Sequence, residues 1–167
     1  MVAIRRLDPT AWAAYREVRL ASLADSPGAF VVTLDQALER TDADWRASLL
    51  DQSSRVTFAA FDGPHPVGLV AGVPGAESDV AELASMWVSP RHRRRALGRR
   101  LVGEVVAWAR AEGFRELRLW VVEGNAPARG LYRRLGFAPT GSTQPYPNDD
   151  EQTEIELAFP LAGASSL

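Results

Sequence analysis

The chain has 167 residues, 46% of them hydrophobic, with two histidines, no cysteine and a formal net charge of −2. That length and apolar content suit one domain with a sizeable core, and the missing cysteine excludes a disulfide framework, a thiolate metal site and a cysteine nucleophile. All 19 cationic side chains under Lys+Arg are arginine, and a slightly acidic balance disfavours non-specific nucleic-acid binding, which shows as a basic domain.

Val2 to Leu7 is a strand candidate that begins without an apolar signal core, and no apolar run approaches the roughly 18 residues of a membrane span, so a cytoplasmic protein without a membrane partner is expected. Asp8 or Thr10 caps a helix running from about Thr10 to Leu23. Trp12, Tyr15 and Leu23 share a face with Arg19, whose stem is expected to pack on the core with its head in water. Ser26-Pro27-Gly28 is a turn. From Leu34 to Leu50 the pattern is helical, interrupted near Thr41-Asp42, where a second short helix is capped before Trp45. This segment is either one wall of a substrate cleft or a helical pair covering a sheet edge. Arg55 to Phe61 and His65 to Val73 alternate in period two about the turn Asp62-Gly63-Pro64 and form a hairpin, with His65 solvated at its turn. Val80 to Val88 follows as a third antiparallel strand. Two histidines, His65 and His92, are too few for a metal cluster.

The stretch Val88 to Leu101 reads as strand, turn and helix start. First-turn amides without partners and the helix dipole favour an anion there, and six arginines between Arg91 and Arg100 strengthen the field. Gly98 is expected to let the backbone approach a ligand, since it has no side chain to stand in the way. The helix, with Leu97, Leu101, Val105 and Ala109 every four residues, runs to Glu112 and stops at Gly113. Glu116 to Val122 is a strand, so the crossover is a right-handed βαβ unit with parallel strands. Asn125-Ala-Pro-Ala opens a helix that ends at Gly136. Phe137 to Thr143 and Thr153 to Phe159 are a last strand pair, joined by a loop over 144–151. One domain over 1–162 and a polar tail over 163–167 are expected.

The run Val88-x-Pro90-x-x-Arg93-Arg94-Arg95-Ala96-Leu97-Gly98, then Asn125-x-x-Ala128-x-x-x-Tyr132-x-x-x-Gly136-Phe137 after the crossover, resembles the GNAT superfamily of acyl-coenzyme A dependent N-acyltransferases. The resemblance implies that family's fold, an α+β arrangement with a mixed, mostly antiparallel sheet of six or seven strands, flanking helices and a parallel pair at a splayed cleft. It implies acetyl-coenzyme A as cosubstrate and no metal. The amides of Arg93, Arg94, Arg95, Ala96, Leu97 and Gly98 would hold the pyrophosphate, with arginine heads, Arg99 included, adding charge. The family usually has glycine where this chain has Ala96; alanine is harmless there if the residue has ordinary angles. The backbone of Met86, Trp87 and Val88 would pair with the pantetheine arm and offer an amide to the thioester carbonyl. Asn125, in one motif with Ala128, resembles the pantetheine-binding asparagine, and Tyr132 the tyrosine that protonates the departing thiolate.

Direct attack of an amine on a thioester also needs a proton acceptor. Glu82, on the strand before the phosphate loop, is the first candidate; Asp79 and Glu123 are others, each flanking the strand ends expected to splay into the cleft. The acidic stretch Asn148 to Glu151 either attracts a cationic amine or is solvated surface. The acceptor is an amine, a small molecule before a protein, and homodimerisation is common in this fold without anything in the sequence fixing it. Two other classes stay open: a nucleic-acid binder using the arginine cluster, disfavoured by the net charge, and an acyl-coenzyme A binding sensor without catalysis.

Overall fold

A computed structural model describes residues 1–161; the expected tail over 163–167 lies outside them. Seven strands, β1 (Val2–Arg6), β2 (Val56–Asp62), β3 (His65–Pro74), β4 (Val80–Val88), β5 (Glu116–Val122), β6 (Ala138–Tyr146) and β7 (Asp149–Pro160), form one sheet in the order β1-β2-β3-β4-β5-β7-β6. Every neighbouring pair is antiparallel except β4 and β5. The parallel pair is joined by helix α4 (Leu97–Ala111), as the βαβ reading requires. The remaining helices are α1 (Trp12–Asp25), α2 (Leu34–Leu38), α3 (Asp42–Ala47) and α5 (Ala126–Leu135).

Over β2 and β3 both sheet faces are covered, which is why β2 is buried at every position but its last. On one face the α4 stripe Leu97, Leu101, Val105 and Ala109 packs with Leu117, Leu119 and Val121 of β5 and with Tyr132 and Leu135 of α5. The approach is close enough that a Cβ on Gly72 would lie 2.7 Å from the Trp108 ring. On the other face Tyr15, Val18 and Leu23 of α1 meet Trp45, Leu49, Phe61, Leu69 and Trp87.

Two local readings differ in the structure, and one between them holds. Helix α1 begins at Trp12, because Asp8 caps a separate 3-10 turn, Pro9–Ala11, by accepting from the Thr10 amide at 2.8 Å. The helical segment does break at Thr41, and α2 and α3 each start with a capping box, Thr33 with Gln36 and Thr41 with Asp44. The 144–151 stretch is mostly strand: β6 and β7 run on to Tyr146 and from Asp149. Its tip is tied down from afar, since Tyr146 Oη and Asn148 Nδ2 donate to the Phe30 carbonyl at 2.9 and 3.1 Å. Pro145 is tolerated because β6 is an edge strand. His65 is exposed at the start of β3, as expected.

Arg19 corrects its expectation. Its Nη1 is buried without a hydrogen-bond partner among the described residues, and the guanidinium lies 4.8 Å over the Phe30 ring. The head points inward because α2 and α3 roof over the face of α1 that carries it.

Asp25, at the end of α1, joins three elements. It accepts from Trp87 Nε1 (2.9 Å), Arg93 Nη2 (2.7 Å) and Ser26 Oγ (2.8 Å). The Trp87 bond, then those from Ser26 and Arg93, hold its carboxyl below the usual range. A depressed carboxylate contributes stability above its unfolded pKa and loses it as pH falls through the lower folded value. Asp25→Ala is therefore expected to cost about 2 kcal/mol in urea unfolding near neutral pH, with the gap between the two proteins closing only as pH drops below 3.8, the ordinary aspartate value.

Candidate active site

Strands β4 and β5 share only three paired positions, Val80 with Glu116, Ala81 with Leu117 and Glu82 with Arg118. Beyond Glu82 they part, although β4 stays bonded to β3 as far as Val88. The cause is local. Between Leu69–Trp87 and Ala71–Ala84 the β3–β4 register slips by one residue, and Ser85 has φ 56°. Such a bulge bends its strand and re-aims the side chains that follow. Ala81 and Leu83 face the α4 core before it; after it Met86 and Val88 do, while Trp87 joins the α1 side. Among the described residues, the second half of β4 thus has no strand neighbour on the β5 side.

This open wedge ends at the loop into α4. Arg94 has φ 62° and Ala96 φ 58°, both left-handed. The amides of Leu97, Gly98 and Arg99 precede the first helical bond, from Arg100 N to Ala96 O at 3.1 Å, so they lack intrahelical partners and suit an anion. The arginines divide. Arg93 folds back, Nε on the Val88 carbonyl (2.9 Å) and Nη2 on Asp25, and Arg100 donates to the Val2 carbonyl. Arg94, Arg95 and Arg99 are exposed, and their side chains make no hydrogen bond or ion pair among the described residues. His92 anchors the loop, its Nε2 3.0 Å from Asp62 Oδ2 at the end of β2. Gly98 corrects its expectation: a Cβ there would meet Leu131 Cδ2 at 3.2 Å and Met86 Cε at 3.3 Å. Its bareness serves the meeting of β4, α4 and α5, not an open approach for a ligand.

Helix α5 brings the second motif to the same corner. Asn125 is its N-cap, Oδ1 accepting from the Ala128 amide at 3.3 Å, and Ala128 packs on the α4-side core. Tyr132 is buried, edge-on to Phe137 at 5.6 Å, and its hydroxyl makes no hydrogen bond to a described residue. Burial raises its pKa, so the proton stays on oxygen.

The carboxylates sort by position. Glu82 alternates with Ala81 and Leu83 and so lies on the opposite face, where it makes no ion pair among the described residues. Burial first, then Glu156, raises its pKa against the opposing effect of Arg118. Asp79 stands before the paired ends of β4 and β5, bound to Arg115 at 3.7 Å, so it flanks the closed end and not the splayed one. Glu123 is exposed just past the end of β5. The acidic stretch lies at the β6–β7 turn, Asp149 bonding its own neighbours. Sequence reasoning missed Glu154 and Glu156, two buried acids of β7 that hydrogen-bond Gln144 and Thr140 at 2.8 Å. Their period-two spacing in a strand was the available signal.

A family model, the acetyltransferase (GNAT) family, matches residues 12–137, a span containing both motifs and the wedge. The chain belongs to the GNAT acetyltransferase family. It is 28% identical over 142 residues to the L-methionine sulfoximine/L-methionine sulfone acetyltransferase of Pseudomonas paraeruginosa, a match spanning 74% of this chain and 81% of that one. Other relatives are longer, and the matched part covers 34% and 46% of two of them. Its fold is that of a GNAT acetyltransferase from Streptococcus pneumoniae (TM-score 0.79, 20% identity, 96% of this chain and 99% of that one). It is also that of yncA from Salmonella typhimurium, whose structure holds acetyl-CoA (TM-score 0.73, 19% identity, 100% and 98%).

Against this GNAT background Ala96 stands out, because the angles it adopts are not the ordinary ones under which alanine is harmless. A left-handed conformation costs a residue with a Cβ about 1–2 kcal/mol, part of which glycine forfeits through backbone entropy. Ala96→Gly is expected to raise stability by about 1 kcal/mol, read as a higher Tm, and to leave coenzyme A binding equal or tighter by calorimetry.

Proposed function

We propose that this chain is an acetyl-CoA dependent N-acetyltransferase that passes the acetyl group to a primary amine of a small acceptor by direct attack within a ternary complex. The observation that carries the reading is the wedge between β4 and β5, whose unpartnered strand edge runs into a helix start with free amides. An extended arm ending in a diphosphate fits those two features together: a strand edge supplies main-chain partners along its length, and the helix start supplies donors for the charge.

Acetyl-CoA would bring the activated acyl group as a thioester. The amides of Arg93 to Gly98 would hold its diphosphate, with Arg94, Arg95 and Arg99 as charged neighbours, while Arg93 shapes the loop through Asp25 and Val88. The main chain of Met86, Trp87 and Val88 would align the arm and donate to the thioester oxygen as charge develops there. Asn125, whose Oδ1 is taken up by its cap, would offer its Nδ2 to the arm beside Ala128. Glu82 would accept the proton of the amine; a carboxylate raised above the usual glutamate range is a stronger base than an exposed one. Tyr132, protonated throughout the physiological range, would donate to the departing sulfur. A small acceptor is favoured because the Pseudomonas relative that matches most of both chains is named for acetylating a small amino-acid derivative.

Thiol release with acetyl-CoA and an amine panel tests the reading. Tyr132→Phe is expected to lower kcat by roughly 10²-fold with the acetyl-CoA KM unchanged. Glu82→Gln should lower kcat/KM by a similar factor and remove the acidic limb of its pH profile, since the wild-type base works only when ionised and its pKa lies above the ordinary value of 4.5. No turnover of any amine, with coenzyme A binding intact, would leave a binding module and overturn the enzyme.

A further inference from the structure

On the face of the sheet away from α4, a half-open pocket of about 340 Å³ is lined by α1, the α2–α3 segment and the residues just before β2. That volume is of the order of a small-ligand site, roughly 300–1,000 Å³. Three arginines line it, Arg19 from α1, Arg40 between α2 and α3, and Arg55 before β2. None of the three makes an ion pair among the described residues, and both Arg19 Nη1 and Arg55 Nε are buried without a hydrogen-bond partner. The one acid in the lining, Asp51, has its carboxylate turned to Ser53 and Ser54. Buried cationic donors with nothing to receive them are costly unless an anion completes the set.

The arginines are also held in place. Arg40 lies 4.0 Å over the Trp45 ring and donates to the Asp44 carbonyl and to Ser48 Oγ, while Arg19 stacks on Phe30. Tyr15 and Trp45 pack edge to face at 5.5 Å and supply apolar wall. Burial, with like charge from Arg55 and Arg40, pushes the Arg19 pKa down against the pull of Tyr15. Arg55 links this cavity to the wedge, because its Nη2 donates at 2.9 Å to Ser85 Oγ, the bulge residue at which β4 leaves β5.

We infer that the cavity is a subsite for the acceptor, taking the α-carboxylate of an amino-acid-like amine on the free donors of Arg19 and Arg55 with Arg40 as the third positive charge. An acceptor held there by its carboxylate extends its amine toward Ser85, and so toward the thioester that the proposed function lays along Met86 to Val88; the inference rests on that reading for the reaction but not for the binding. Carboxylate oxygens match guanidinium donors in charge and geometry, and such charge-assisted bonds are among the stronger ones.

Calorimetry on the protein saturated with coenzyme A tests it, with the standard L-α-amino acids and L-methionine sulfone as probes, each beside its α-carboxamide, and O-phosphoethanolamine as a phosphate-bearing amine. At least one carboxylate is expected to bind roughly 10- to 100-fold tighter than its amide. Arg19→Gln and Arg55→Gln should each abolish that preference while leaving coenzyme A binding unchanged. Arg19→Gln removes a buried charge and is expected to fold, and Arg19→Lys, which keeps the charge, should recover part of the preference. No carboxylate binding, amides binding equally, or phosphoethanolamine binding better than every carboxylate would overturn the subsite. Thiol release separates the two readings: carboxylate-selective binding without turnover sinks the transferase and supports the subsite, whereas turnover indifferent to the carboxylate sinks the subsite and supports the transferase.

Discussion

The bulge at Ser85 is the constraint on which the cleft depends. One extra residue in β4, with a positive φ at Ser85, turns a strand that begins in parallel register with β5 away from it after three pairs. The same slip exchanges faces, so that Met86 and Val88 point to the α4 core and Trp87 to the α1 side. Trp87 can then reach Asp25, and Asp25 can reach Arg93. Without the slip the alternation of β4 would continue, Trp87 would face α4, and the loop would lose the tie that joins it to α1.

Around that parting the chain carries local strain and uncompensated charge in two places. Arg94 and Ala96 take left-handed angles in the loop entering α4, where a Cβ is unfavourable. Behind the sheet, Arg19 and Arg55 keep buried donors without partners among the described residues. Sequences that fold well usually satisfy such groups, and exceptions collect where a ligand completes them. Both places adjoin β4, the loop through Val88 and the cavity through Ser85, and each is suited to an anion. The two ends of a two-substrate site would then be written in the same chemistry on opposite faces of one sheet.

The acids on the remaining sheet surface complete the electrostatic picture. Glu82 on β4 and Glu156 on β7 are close enough in effect for the one to raise the other's proton affinity, while Arg118 between them moderates it. Glu156 and Glu154 are in turn hydrogen-bonded from β6. A carboxylate kept half-buried near another of like sign is one recognised way of raising its basicity.

By itself the sequence determined the order of the elements and the family. Period-two strands, the four-residue spacing from Leu97 to Ala109, the glycines at 113 and 136 and the two motifs are local signals, set by backbone geometry and by burial of one face, and they survive in any context. What only the tertiary structure decided came from residues far apart in the chain. Arg19 reads as a solvated head until α2 and α3 roof it; Gly98 reads as space for a ligand until Leu131 and Met86 fill it; the 144–151 stretch reads as loop until Phe30 fixes its tip. Asp25, Ser85 and the three arginines of the cavity carry no motif at all. Their roles arise from long-range contacts, and a pattern confined to neighbouring positions cannot encode which distant groups will share a buried volume.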